Sequence, residues 1–457
     1  MATGEITAMA PVGLGWLTAR IGERTGRGIA GAVSGLIRDG EVLPGARLPT
    51  VRALAAELSV SPTTIAEAWA QLRAAGLIGT GRRRGTTVLA PPPGPAAARS
   101  FEGWRTIDLE HGRPDPALLP PLEEAVAAGV RMERSNSSAK DFITPRLRAA
   151  VDPAWPFPAE DWTVAAGGHE GVTLACQALA RPGDVIAVEE PTAPWLLEVL
   201  RRSRIHVVPV RCDEHGPQPE SLTDALTHRP AAFVYQPRAH VPLGHSVPAE
   251  RIAALAAVLD SARSAPVVIE HDDLGPLASG PALSLGTHRP DRVLLVRSYC
   301  TAFGPELRSC VLAGAAPVVA RVRELRASGP IWSSRILQDA QAFLLTDAAT
   351  GVLLRRARGR YAERRAALAD ALAGHGIRAR TDDGLALWVP VPDETRTLVT
   401  LAANGVSAGP GRRCHARPTS ASHIRVAIGQ LPDDPGLVTD LATMIATAAG
   451  RRPQRSA

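Results

Sequence analysis

The stretch Arg297-Ser298-Tyr299-Cys300-Thr301-Ala302-Phe303-Gly304-Pro305-Glu306-Leu307-Arg308 follows an apolar run, 293–296, that reads as a buried strand. Loops beyond the carboxyl ends of such strands are where α/β sheets bind ligands. This one offers a thiol at Cys300, a hydroxyl at Thr301 and a guanidinium at Arg308, but no amine. Lys140 is the one lysine of the chain, and it sits in a polar stretch, 135–141, that reads as solvated. Capture of a carbonyl as a Schiff base needs a lysine amine, which Thr301 lacks. A second chemical signal is Gly167-Gly168-His169-Glu170-Gly171, which opens a helical pattern. A helix N-terminus preceded by glycines suits an anion.

The elements that must position these residues follow from periodicity. Residues 184–188, 205–210, 231–235, 267–269 and 293–296 read as buried strands. Residues 171–180, 193–201 and 249–262 read as the helices between them. That alternation predicts an α/β domain with a largely parallel sheet. After about residue 350 a helical stretch, 353–373, leads into a smaller mixed region with strands at 385–389 and 423–428.

Upstream, the pattern changes. Residues 14–90 carry ten arginines against five carboxylates, a local excess that points to a polyanionic partner. Ile29, Val33, Leu36 and Ile37 recur at helical spacing. Thr50 is placed to cap a second helix with Val51, Leu54, Ala55 and Leu58 on its apolar face. Ser61-Pro62 is an N-cap followed by proline at the first helical position. The third helix buries Ile65, Ala68, Trp69 and Leu72. A basic turn containing Arg82, Arg83 and Arg84 then separates two short apolar runs. Three helices and a basic hairpin predict a winged helix-turn-helix. Its third helix would enter the major groove of double-stranded DNA, and the hairpin would track the phosphates. Residues 1–13 read as a tail, and the proline-dense stretch 91–105 as a semi-rigid linker.

Five cysteines with no C-x-x-C spacing argue against a disulfide framework. No run of about 18 apolar residues marks a membrane span. The expectation is a soluble, cytoplasmic protein without a membrane partner.

Two family resemblances sit on these residues. Arg47-Leu48-Pro49-Thr50-Val51-Arg52, Leu54-Ala55, Val60-Ser61, Thr63-Thr64-Ile65 and Gly76-Leu77-Ile78 resemble the GntR winged-helix signature, with Gly85-Thr86-Thr87-Val88 as its wing. The resemblance implies DNA contacts from Arg52, Thr63 and Thr64. Pro62 stands where the family usually has arginine, which departs from its usual operator reading. The rest of the chain, 106–457, resembles fold-type-I, pyridoxal-phosphate-dependent aminotransferases in the form found in MocR-type regulators, with a small subdomain at about 350–457. The frame of the cofactor-lysine loop is kept at Arg297, Ser298, Tyr299, Phe303, Gly304, Pro305, Leu307 and Arg308. Cys300 replaces its serine and Thr301 its lysine. Gly168 falls in the family's phosphate-side turn, and His240 at a Gln/Asn position. His271 falls at the carboxylate that faces the pyridine nitrogen, although a one-residue slip would place Asp272 there. Ala193 replaces the stacking aromatic. Arg308 matches the phosphate-binding arginine and Arg425 the one for a substrate carboxylate.

The resemblance implies that His169, His240, His271 and Cys300 line one cavity. Imidazole and thiolate suit zinc, but the separations carry no metal spacing, and these side chains are read as pocket lining with no metal. The resulting expectation is a dimeric transcription regulator that senses a small, anionic molecule without covalent cofactor and without catalysis. Two alternatives stand beside it: an active aminotransferase fused to a DNA-binding domain, and a regulator holding pyridoxal phosphate non-covalently.

Overall fold

The computed structural model describes residues 12–38, 41–42, 45–74, 77–81, 85–89, 107–131, 142–327, 333–380 and 382–450. The chain divides into two compact units, 1–103 and 104–457.

In the first unit the helices are Gly26–Arg38, Val51–Leu58 and Pro62–Ala74, preceded by a short helix, Leu14–Thr18, that the sequence pattern did not mark. Both capping expectations hold. Thr50 accepts a hydrogen bond from the Ala53 amide at 3.2 Å, and Ser61 accepts one from the Thr64 amide at 3.1 Å. Each satisfies a donor that a helix start leaves without a partner. Ser59, at φ 55°, makes the left-handed turn between the second and third of these helices. Strands Ile78–Gly81 and Gly85–Val88 pair antiparallel, Gly81 opposite Gly85. Ile29, Val33, Leu54, Leu58, Ile65, Trp69 and Leu72 pack with Ile78 and Val88 in one core. This is a winged helix-turn-helix. Arg82, Arg83 and Arg84 lie outside the described residues, as do the linker and Lys140.

The second unit is built on an eight-stranded sheet. Its order is Asp161–Ala165, Cys310–Gly314, Val293–Ser298, Val267–Asp272, Ala232–Tyr235, Val185–Glu190, His206–Asp213 and Gly216–Pro217. From Val293–Ser298 to His206–Asp213 all neighbours are parallel. Cys310–Gly314 pairs antiparallel with both of its neighbours. The five predicted strands are all present; Asp161–Ala165, Cys310–Gly314 and the short Gly216–Pro217 were not anticipated. The central strands are buried on both faces, so they read as continuous apolar runs. Val188, Val234, Ile269 and Val296 pack on one side with Val172, Ala175 and Val319. Ala187, Phe233, Val268 and Leu295 pack on the other with Leu255 and Leu259. A second sheet of four strands, Ala386–Pro390, His423–Ala427, Val406–Pro410 and Ile107–Leu109, brings the residues just after 106 beside the C-terminal region.

Candidate functional site

Strands Val267–Asp272 and Val293–Ser298 run parallel, with His271 beside Val296 and Asp272 beside Arg297. Successive side chains leave a strand on opposite faces. His271 therefore faces helix Gly168–Leu179, and Asp272 faces away from it. The approach to the helix is close. A Cβ on Gly168 would stand 2.8 Å from Ser298 Cβ and 3.0 Å from His271 Nε2, and one on Gly167, at φ +106°, 3.3 Å from Cys300 Sγ. The glycines let the first helical turn settle against His271, Ser298 and Cys300, with the turn's first amides at the same place.

His169 extends from that turn and is covered by Trp195. The two rings stack with centroids 4.0 Å apart and 21° between planes. Trp195 also stands edge-on to His271 at 5.7 Å. Sequence reasoning missed Trp195. It looked for an aromatic at Ala193, which instead is the buried cap of helix Pro194–Arg202. The signal was present two residues on, in Pro194-Trp195.

Charge at the site is mixed. Burial pushes His169 below its ordinary value, the Asp273 carboxylate opposes this, and His271 and Arg308 add to it. His271 Nε2 lies 3.4 Å from Asp273 Oδ1. Burial pushes the Asp273 carboxyl up, but the facing imidazoles of His271 and His169 bring it below its usual range. Burial raises the Cys300 thiol, so it is a neutral S–H at ordinary pH. Thr301 is half-buried on the short helix Cys300–Phe303. Arg308 is exposed and holds a left-handed φ of 31°, a conformation that non-glycine residues keep only where their surroundings enforce it.

On the other face, Asp272 accepts from Arg238 Nε at 3.0 Å and Nη2 at 2.8 Å, and from Arg297 Nε at 2.7 Å. Burial acts against its charge, and the two guanidiniums outweigh it, holding the carboxyl below its ordinary value. A cavity of about 410 Å³ opens beside this network, lined by Arg238, Arg297, Tyr299, Ser279 and Arg358.

Not every sequence-predicted residue joins the His169 cluster. His240 is buried with His245 and Glu189, its ring stacked on His245 at 4.3 Å. Arg425 lies on strand His423–Ala427 of the second sheet and donates to the Glu110 carbonyl at 2.8 Å. In the first unit Arg52 and Thr63 are exposed, and the Thr64 hydroxyl lies 2.9 Å from that of Ser61 within the cap.

The eight-stranded unit resembles solved aminotransferases. A kynurenine aminotransferase of Pyrococcus horikoshii superposes with a TM-score of 0.68 over 76% of this chain and 92% of that one, at 17% identity. An aspartate aminotransferase variant of Thermus thermophilus gives 0.66 over the same shares, at 23% identity. These likenesses show the fold, which is that of pyridoxal-phosphate transferases. The residues at the site fit that group in part. The helix N-terminus behind Gly167 and Gly168, with Arg308 near His169, suits its phosphate. Trp195, His169 and His271 suit a flat ring. Among the described residues there is no amine to hold its aldehyde, because the one lysine is Lys140.

Residues 25–88 match the gntR family of bacterial regulatory proteins, and residues 108–434 match aminotransferase class I and II. The vitamin B6 salvage pathway transcriptional repressor PtsJ of Salmonella typhimurium is 34% identical over 369 residues, which is 78% of this chain and 84% of PtsJ. The transcriptional regulator TauR of Rhodobacter capsulatus is 28% identical over 458 residues, 88% of this chain and 90% of TauR. The pyridoxine biosynthesis regulator PdxR of Corynebacterium glutamicum is 26% identical over 396 residues, 81% and 84%. With a gntR winged helix ahead of an aminotransferase fold, and transcriptional regulators as relatives along most of its length, the chain belongs to the MocR-type transcription regulators.

Proposed function

We propose that this regulator binds operator DNA through residues 14–90 and senses a small anionic molecule through residues 106–457, with 91–105 as the linker and without forming a Schiff base. Arg52, Thr63, Thr64, Arg82, Arg83 and Arg84 contact the DNA in this reading. Gly168, His169, His271, Cys300, Thr301 and Arg308 surround the effector, and Arg425 receives a carboxylate. The observation that carries it is a site with an anion-binding end and a ring stack, Trp195 on His169, whose strand-end loop presents Thr301 where a lysine would be needed. The chain regulates and does not transaminate. It works as a homodimer, in keeping with repeated half-sites for a helix-turn-helix.

Pyridoxal phosphate held non-covalently is the first effector to try. It is a flat ring with a phosphate, and two relatives carry vitamin B6 or pyridoxine in their names. The test is titration of the purified chain with pyridoxal phosphate, pyridoxine phosphate and inorganic phosphate. Thermal shift, absorbance and operator retention are the readouts. The expected result is stabilisation by the phosphorylated ring compounds with no borohydride-trapped adduct. A trapped adduct on Lys140, or turnover of an amino-acid and keto-acid pair, would put the aminotransferase alternative first.

A further inference from the structure

We propose that Glu189, Cys212 and His245 form a zinc site, separate from the His169 and His271 cluster.

Their ligand atoms, a carboxylate oxygen, Sγ and a ring nitrogen, lie within 4.8 Å of one another. The three come from different parts of the fold. Glu189 lies near the end of strand Val185–Glu190 and pairs in parallel with Val210 of strand His206–Asp213. Cys212 is two residues beyond Val210, so it leaves the sheet on the same face as Glu189. His245 is in the loop after strand Ala232–Tyr235, packed beneath Gly216; a Cβ there would stand 3.3 Å from His245 Nε2.

The polar groups of this cluster are not all satisfied within the protein. Glu189 is 1% exposed. One of its oxygens accepts from the Gln236 amide at 2.8 Å and from Gln236 Nε2 at 3.2 Å. The other oxygen has no hydrogen-bond partner, and neither ring nitrogen of His245, also 1% exposed, has one. Cys212 Sγ makes a long contact, 3.9 Å, to the Val210 carbonyl. Buried polar atoms left in this state are costly, and here they lie side by side. One cation would satisfy the free carboxylate oxygen, one imidazole nitrogen and the sulfur together.

His240 is a positioning residue here. Its Nδ1 accepts from the Leu243 amide at 3.2 Å, which leaves the proton on Nε2, 3.3 Å from Glu189 Oε1. Its ring lies flat on that of His245. Outer groups of this kind orient a metal's ligands. The nearby cations are already engaged. Arg251 pairs with Asp213 at 2.9 Å, and Arg380 lies 3.4 Å from Asp382.

The donor set selects the metal. Mixed nitrogen, sulfur and oxygen ligands suit zinc, whereas magnesium and calcium take oxygen. Three protein ligands leave a fourth position for water. The ion would fasten strand His206–Asp213 and the loop carrying His240 and His245 to the strand of Glu189.

The experiment uses the full chain without a polyhistidine tag, stripped of metal and titrated with Zn²⁺, then with Co²⁺. Wild type should take up one zinc per chain, melt at a higher temperature with it, and give a cobalt complex with a thiolate charge-transfer band. Zinc should also slow alkylation of Cys212. Cys212→Ser should lose the band, and His245→Ala should lose the binding. His240→Ala should weaken zinc affinity by about 10–100-fold, with His240→Gln closer to wild type because its amide keeps a polar N–H facing Glu189. If the ligand variants fail to fold, the band and the alkylation rate of wild type decide. A cobalt complex without the thiolate band, or alkylation indifferent to zinc, would overturn the proposal. So would wild-type zinc affinity in Cys212→Ser/His245→Ala, or loss of the metal in His169→Ala/His271→Ala alone.

Discussion

His271 and Asp272 are consecutive on one strand, yet they belong to different sites. His271 faces Gly168 and stands edge-on to Trp195, 5.7 Å between ring centroids. Asp272 is on the opposite face, 2.7 Å from Arg297 and 2.8 Å from Arg238. The strand's alternation puts an imidazole, and not a carboxylate, on the face that packs against helix Gly168–Leu179. Asp272 is left as a structural anion.

That assignment gives a stability prediction. Burial opposes the Asp272 charge and the two arginines outweigh it, so its folded pKa is below the ordinary value. A depressed carboxylate contributes stability above its unfolded value of about 3.9, and the contribution is lost as pH falls through the folded value. Asp272→Asn should destabilise by about 3–5 kcal/mol at neutral pH, since it leaves two buried guanidiniums without a counter-charge. Denaturant midpoints measured from pH 7 downward should show the gap to wild type narrowing below about pH 4. A gap independent of pH would mean the network is not ionised as described.

Gly168 should be intolerant of a side chain. Its Cβ would meet Ser298 Cβ at 2.8 Å and His271 Nε2 at 3.0 Å. Gly168→Ala should cost about 1–3 kcal/mol by overpacking and should abolish the thermal shift given by phosphorylated ring compounds. Gly359 is the control: it is exposed within helix Ala348–Ala373, and its Cβ would meet nothing within 4 Å. Gly359→Ala should be stabilising by up to about 1 kcal/mol. Equal behaviour of the two variants would contradict a close approach at Gly168.

Restoring an amine should not restore transamination. Thr301→Lys supplies the nucleophile, and desolvation of the half-buried position lowers its pKa, so an aldimine can form and the protein should turn yellow with added pyridoxal phosphate. His271 still brings no negative charge to hold a proton on the ring nitrogen. Turnover of amino-acid and keto-acid pairs should stay negligible in Thr301→Lys and should be sought again in Thr301→Lys/His271→Asp. Wild-type turnover would defeat the non-enzymatic reading.

DNA affinity should depend steeply on salt through the wing. Removing a single phosphate-binding arginine, as in Arg83→Ala, should flatten the logarithmic salt slope by about 0.9. Operator binding across a salt series measures this. An Arg82/Arg83/Arg84→Ala protein with the slope and affinity of wild type would remove the wing from the interface.

What the sequence determined by itself is local in origin. The caps at Thr50 and Ser61, the 3.6-residue pattern of Ile65, Ala68, Trp69 and Leu72, and the apolar runs at 184–188, 231–235 and 293–296 specify their elements through nearest-neighbour physics. The parallel sheet follows from their alternation with helices, and that Lys140 is the one lysine is read directly from the chain. Tertiary structure decided what depends on which face a side chain takes and what packs there. The sequence pattern does not mark Cys310–Gly314 as a strand; its antiparallel pairing with Val293–Ser298 and Asp161–Ala165 makes it one. Trp195 reaches His169 because two helices meet, a proximity no spacing in the chain encodes. The choice between His271 and Asp272 rested on strand register, where one residue moves a side chain across the sheet. His240, grouped by sequence with His169 and His271, was drawn into the buried cluster of Glu189 and His245 by a loop whose path only the packed fold defines.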